Sequence, residues 1–380
     1  MTLAVGVEAA TTVAPPRSRP VFPAAAEPRI AGVGTAVSGL PYSQQELLDL
    51  FEITDAKVRS VFNNSAIQRR YLTVPARVDG AFVDEPQGAL LRKHKSLAAG
   101  MGATAVRRAL ADAGVALATV DYLCCVTSTG FATPGISALL IRELGIDPGC
   151  HRVDVVGMGC NAGLNALNAT ANWAKANPGR VAVMVCTEAS SAAYVIDSTM
   201  RTAVVNSLFG DGAAAIVLAA PAGGFGPAPT VQASGPRIRS FASHIITDAF
   251  DAMRYDWDDA QHKFSFFLDP DIPYVVGAHA GLVIDRLLTR AGRRRSDIAH
   301  WLVHSGGKKV IDAVRVNLGL TRHDVRHTVG VLRDYGNLSS GSFLFSYERL
   351  LQEGVVEPGD HGVLMTMGPG STIETALVQW

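Results

Sequence analysis

The sequence predicts an α/β fold built from two related halves, and three observations carry that prediction. Apolar strand-like runs alternate with helical stretches from Ile30 onward. The order of features repeats on either side of a Pro/Gly-rich break, PAGGFGPAPT at 221–230. With 48% hydrophobic content in 380 residues, the chain can bury a large core as one large domain or two fused ones.

Residues 1–26 offer no periodic apolar face and read as a loose leader, broken by Pro15-Pro16, Arg17 and Arg19. After it, DYLCCVTSTG reads as a strand, ISALLIRELG as a helix and HRVDVVGMG as a strand. NAGLNALNATANWAKAN then gives a helix and RVAVMVCTEAS a strand. Strands this apolar, with helices between them, are expected to be buried on both faces. LFGDGAAAIVL and TMGPGSTIETALV are glycine turns running into strands. The first half is taken as 27–228 and the second as 229–380. Ser128 ends a strand 32 residues before Cys160 opens a helix; His304 ends one 33 residues before Asn337 opens another. His304 lies 176 residues beyond Ser128, and Asn337 lies 177 beyond Cys160. Equivalent strand and helix ends of two halves in the same register would face one another, a usual place for chemistry in α/β sheets.

Bulk properties exclude several classes of function. Net charge is zero and the pI is near 7.1, so the field that holds a polyanion is missing and nucleic acid is not an expected partner. Five cysteines, an odd count without a CxxC pair, point to a reducing cytoplasm. No apolar run reaches the length of a membrane span. His323 and His327 lack a third ligand, so no metal is expected, and without a P-loop or GxGxxG no nucleotide cofactor is indicated either.

Cys160 is the first candidate for chemistry. A strand, a turn on Gly157 and Gly159, and a helix from Asn161 would hold its sulfur at a helix N-terminus, where free N–H groups lower a thiol's pKa. The alternative is a small buried side chain filling a tight core. Asn161, Asn165, Asn168 and Asn172 stripe one face of that helix, which implies hydrogen-bonding partners or solvent there. His304, before Ser-Gly-Gly, is placed for a cleft or is merely satisfied, and Asn337 is either functional or an N-cap. Brought together, a His beside the thiol and the spare donors of His and Asn could hold an oxyanion.

MGCNAG around Cys160, LFGDGAAA at 208–215, LVHSGG around His304, YGNLSSGSF around Asn337 and MGPGSTIET near the C-terminus, in this order, resemble the type III polyketide synthases of the chalcone-synthase kind. The resemblance implies a thiolase-like αβαβα fold, a homodimer, and iterative condensation of malonyl-CoA, with CoA thioesters as substrates and no cofactor. By the same resemblance Cys160 would carry the acyl group, while His304 and Asn337 would bind the malonyl thioester and stabilise its enolate. Phe209 and Phe266 match gatekeepers between CoA tunnel and cavity; Gly368, Pro369 and Gly370 match a loop shaping the cavity wall. Ser190, Ala193 and Thr133 stand at cavity positions, the last where plant members reach into the partner subunit. Lys57 and Arg59 fall in the family's basic segment for CoA, Asn64 departs from it, and Lys308 and Lys309 could supply the missing charge.

The expected activity is therefore a short aromatic polyketide from malonyl-CoA alone, a dihydroxyphenylacetyl thioester from four units, with hydratase-like accessory proteins as further partners. One more unit would give 1,3,6,8-tetrahydroxynaphthalene. A cysteine-dependent acyl-CoA hydrolase, a carrier-protein-dependent condensing enzyme and a non-catalytic subunit are the rivals.

Overall fold

The computed structural model describes residues 27–195, 200–222 and 235–380. The leader at 1–26 and the 228/229 boundary between halves lie outside the described residues. The first half supplies β1 (Arg29–Ala36), β2 (Val120–Thr127), β3 (His151–Val156), β4 (Val181–Glu188) and β5 (Gly212–Ala219). The second supplies β6 (Arg237–Ile245), β7 (His300–Val303), β8 (His361–Gly368) and β9 (Thr372–Gln379). All nine join one mixed sheet in the order β7-β8-β9-β6-β1-β5-β4-β2-β3.

Outward from the central strands the order is β1, β5, β4, β2, β3 on one side and β6, β9, β8, β7 on the other. The same arrangement thus occurs twice, with no counterpart of β3 among the described strands of the second half. β1 and β6 meet in register at a single pair, Arg29 opposite Arg237. Ser128 therefore follows β2 as His304 follows β7, its topological equivalent.

The helices that matter here are α1 (Gln87–Asp112), α2 (Ala162–Ala176), α3 (Ile272–Arg290), α4 (Lys308–Leu318) and α5 (Ser342–Glu353). α2 touches β2, β4 and β5 of the first half and β8 and β9 of the second; α5 likewise touches strands of both. These two form a central layer between the halves. α1 covers the first half on the outside, and α3, with α4 packed on it, covers the second. The result is a five-layer thiolase-like αβαβα architecture. Position explains composition: in α2, Ala162, Leu164, Ala166, Leu167, Ala171 and Ala174 are all buried, because a helix between two sheet faces has little surface left for solvent.

Two sequence expectations are modified by packing. β3 is not buried on both faces: it is the last strand of the sheet, and Val153 and Val156 are 37% and 43% exposed. The asparagine stripe of α2 is satisfied mainly within the helix, with Asn165 Nδ2 donating to the Asn161 carbonyl at 3.2 Å and Asn172 Nδ2 to that of Asn168 at 2.9 Å.

At Gly163, near the start of α2, the central layer is closely packed against the turn that opens α5. A Cβ there would lie 2.3 Å from the Ser340 carbonyl oxygen and 2.6 Å from Phe343 Cε1, so only a glycine fits without moving backbone. Replacing Gly163 by Ala is expected to destabilise the fold by about 1–3 kcal/mol, read as a lowered urea midpoint.

Candidate active site

Cys160 lies in a 3-10 turn, Gly159–Asn161, that runs directly into α2. Gly159 has φ +74, and a Cβ on it would sit 2.3 Å from Pro369 Cδ; glycine is needed both for the left-handed turn and for the contact with the 369 loop. The thiol is 5% exposed, with its sulfur 3.4 Å from Ser339 Oγ. Burial pushes its pKa up to about 12, and the nearby Glu188 carboxyl pushes the same way against the Ser339 hydrogen bond. The helix N-terminus was expected to lower this pKa. Loss of hydration outweighs it, because the turn is closed over by the second half.

His304 directly follows β7, its backbone N–H donating to the Met365 carbonyl at 2.8 Å. The ring's Nδ1 is hydrogen-bonded to the Ser342 hydroxyl at the start of α5. Burial holds the imidazole pKa down at about 3, so the ring is neutral. Its Nε2 edge faces Gly306, where a Cβ would come within 3.3 Å.

Asn337 is fixed by its main chain, whose N–H donates to the Leu208 carbonyl at 2.8 Å and whose carbonyl accepts from Gly210 N–H at 3.0 Å. Its Oδ1 accepts from Ser339 N–H at 2.8 Å, a cap-like bond that leaves Nδ2 only a 3.5 Å contact with the Gly306 carbonyl. Capping and function are therefore compatible. Under the bridge between Phe209 and Asn337 lies Arg70, fully buried, donating to the Phe209 carbonyl at 2.7 Å, to Gln44 and to the Tyr194 hydroxyl.

Two adjoining cavities meet at these groups. The smaller, of about 30 Å³, is lined by Cys160, His304, Asn337, Phe209 and Phe266 among others. The larger, of about 460 Å³, is bounded by Cys160, Ser190, Ala193, Tyr255, Pro369 and Gly370, and again by Phe209 and Phe266. The two phenylalanine rings stand edge to face at 5.6 Å, on the wall common to both spaces. Three residues far apart in sequence thus share one buried chamber, and the gate positions sit beside it.

Not every predicted position joins them. Thr133 lies in the exposed loop after β2 and lines neither cavity. Gly368 ends β8 and packs under the cysteine turn, where its Cβ would lie 2.3 Å from Asn161 Oδ1, so it supports the wall from behind. Lys57 is exposed in the first turn of a short helix, while the Arg59 guanidinium is occupied by the Ile53 carbonyl at 2.9 Å. Lys308 and Lys309 are exposed at the start of α4, Lys308 near Asp312 at 3.3 Å, two residues beyond the Gly306 that lines the chamber.

Sequence reasoning missed Ser342, Ser339, Glu188, Arg70 and Tyr255. The run Ser339-Ser340-Gly341-Ser342 carried a signal, since three serines opening an otherwise apolar helix need partners. Ser340 finds Glu188, whose carboxyl also accepts from Ser128 N–H at 2.8 Å; burial raises its pKa.

Comparison with known proteins agrees with this geometry. Residues 42–222 match the N-terminal domain of chalcone and stilbene synthases, and 255–380 match their C-terminal domain. The chain is 69% identical over 360 residues to a 3,5-dihydroxyphenylacetyl-CoA synthase of Streptomyces toyocaensis, covering 94% of this chain and 92% of that one. To the enzyme of that name from Amycolatopsis balhimycina it is 64% identical over 380 residues, covering 100% of each. The solved 1,3,6,8-tetrahydroxynaphthalene synthase of Streptomyces coelicolor A3(2) superposes with a TM-score of 0.83 at 26% identity, over 93% of this chain and 99% of that one. Both halves match in tandem, and the two cavities meet where Cys160, His304 and Asn337 converge; the chain belongs to the chalcone and stilbene synthases, the type III polyketide synthase family.

Proposed function

We propose that this enzyme condenses malonyl-CoA with itself, with loss of carbon dioxide, into 3,5-dihydroxyphenylacetyl-CoA built from four malonyl units. The observation that carries the reading is the sharing of one buried chamber by Cys160, His304 and Asn337 in a chain 64–69% identical to synthases of that name.

In this mechanism the Cys160 sulfur attacks the thioester carbonyl of a first CoA ester. As the new S–C bond forms, the thiol proton leaves by way of His304 Nε2 to the departing CoA sulfur. A malonyl-CoA then enters with its thioester oxygen against His304 Nε2–H and Asn337 Nδ2. Cleavage of the bond to the carboxylate releases carbon dioxide, and the electron pair becomes an enolate whose oxygen those two donors stabilise. The enolate carbon attacks the Cys160 thioester, the C–S bond breaks, and the sulfur takes the proton of His304 Nε2; the lengthened CoA ester then reloads Cys160 for the next round. His304 must accept at Nε2 in the first step and donate there in the second. A hydroxyl on Nδ1 suits both, because Ser342 can accept from Nδ1–H or donate to bare Nδ1.

We further propose a homodimer formed through β3, whose outer edge has no strand beside it among the described residues and whose Val153 and Val156 are partly exposed. Light scattering should give about 80 kDa against the 40.0 kDa chain, and placing Lys at both valines should return it to the single-chain mass.

The direct test is mass spectrometry of products from malonyl-CoA labelled in its methylene and carbonyl carbons, with no other acyl-CoA present. A dihydroxyphenylacetyl skeleton made wholly from label is expected, and Cys160→Ala should make none. A naphthalene skeleton would replace the product assignment, and sustained chain growth by Cys160→Ala would sink the mechanism. Ser342→Ala, with the tautomer of His304 no longer guided, should lose about tenfold in the rate of carbon dioxide release at unchanged melting temperature.

A further inference from the structure

We infer that the Tyr255 hydroxyl is a hydrogen-bond donor to the growing poly-β-keto chain, holding one ketone oxygen so that the chain closes carbon to carbon. This rests on the proposed condensation and goes beyond it, to what decides the mode of ring closure.

Tyr255 lies on a two-stranded hairpin, Met253–Asp258 paired with Lys263–Leu268, which walls the larger cavity. It stands directly opposite Phe266 in the register, and both side chains line that cavity. Its ring is stacked on Phe264 at 5.5 Å and 24°, which fixes the direction of the phenol. Among the described residues the hydroxyl makes no hydrogen bond, although the ring is largely buried.

Other hydroxyls around this space are committed or closed off. Tyr194 gives its hydroxyl to the Phe209 carbonyl, and Thr129 Oγ1 accepts from Ala189 N–H at 2.9 Å. Ser339 faces the cysteine sulfur. The hydroxyls of Ser128 and Ser190 also lack a hydrogen-bond partner among the described residues, but they are buried within the wall, whereas the hydroxyl of Tyr255 is not. The Tyr255 hydroxyl is thus a donor open to the cavity, and a chain with ketones on alternate carbons supplies acceptors for it. Burial raises the phenol pKa to about 12, so the group keeps its proton through the ordinary working range and remains a donor.

Such a chain can close in two ways. Attack of an enol oxygen on the thioester carbonyl gives a lactone and expels the thiol. For the proposed carbocycle, the terminal carbon beside the last ketone loses a proton to water, and its electron pair forms the new bond to the ketone carbon nearest the thioester, which leaves the thioester on a methylene arm outside the ring. The π electrons of that ketone pass to its oxygen, which gains a proton from water, and dehydration completes the ring. A donor fixed at that ketone oxygen stabilises the charge as it grows and favours the second route.

The test is Tyr255→Phe, which keeps the stacked ring and removes only the hydroxyl, assayed with labelled malonyl-CoA for carbon dioxide release and for products. Release within about twofold of the parent enzyme is expected, with the ratio of carbocycle to lactone and open-chain acids lowered about tenfold. An unchanged ratio overturns the inference. It is equally overturned if Tyr255→Phe leaves the ratio alone while Tyr255→Ala shifts it, since ring bulk would then be the determinant. A folded Tyr255→Phe enzyme that no longer releases carbon dioxide also overturns it, because the hydroxyl would then act before closure. A parent enzyme releasing no carbon dioxide from malonyl-CoA would instead overturn the condensation reading itself.

Discussion

The site depends on how closely two helix-opening turns approach across the centre of the molecule. Gly163 at the head of α2 lies against the Ser340 carbonyl just before α5, and no side chain fits between them. That contact brings the turn of Cys160 within 3.4 Å of Ser339, and with Ser339 comes Asn337, whose Oδ1 holds the Ser339 N–H. Because α2 and α5 are each packed against strands of both halves, neither can shift without moving the other. One unit that carries Cys160 and another that carries His304 and Asn337 are thereby forced to share a chamber.

The same closeness sets the electrostatics. With hydration lost, the thiol and the imidazole are each pushed toward their neutral forms, to about 12 and about 3. A neutral chamber suits decarboxylation, in which negative charge arises during the reaction and needs donors already aimed at it rather than a base. The permanent charge is kept one step back, on Arg70, which is hydrogen-bonded to a backbone carbonyl, a phenol and an amide. By gripping the Phe209 carbonyl it anchors the strand-like bridge between Phe209 and Asn337, which ties the positions of the two residues together.

Much of this was legible in the sequence because it depends on local pattern. The strand, turn and helix around Cys160 are written in consecutive residues, and the near-equal offsets of 176 and 177 residues reflect two halves with the same topology. What was not legible depends on which turns meet in space. Ser342 is a plain helix-opening serine until His304 is seen beside it, and the register of the hairpin places Tyr255 opposite Phe266. The expected fall in the Cys160 pKa failed for the same reason: a helix start is visible in one segment, whereas the closure that removes its water comes from the other half of the chain. β3 misled in the opposite direction, its apolar residues reading as buried while it is an edge.

The energetics of proton transfer separate condensation from its hydrolytic rival. Both begin with a thioester on Cys160, and both would use His304 as the group nearest the reacting atoms. Hydrolysis of that thioester needs the imidazole to take a proton from water, whose pKa of about 15.7 lies some four units above that of even this buried thiol. With the imidazole held near 3, relaying a proton from water to a leaving sulfur is harder than relaying it from the Cys160 thiol, while as a neutral donor the ring serves at every ordinary pH. Phe209 and Phe266 stand beside Cys160 in both cavities and set an apolar face against the sulfur. A weak base beside donors already in place would favour attack on such a thioester by a carbon nucleophile over attack by water.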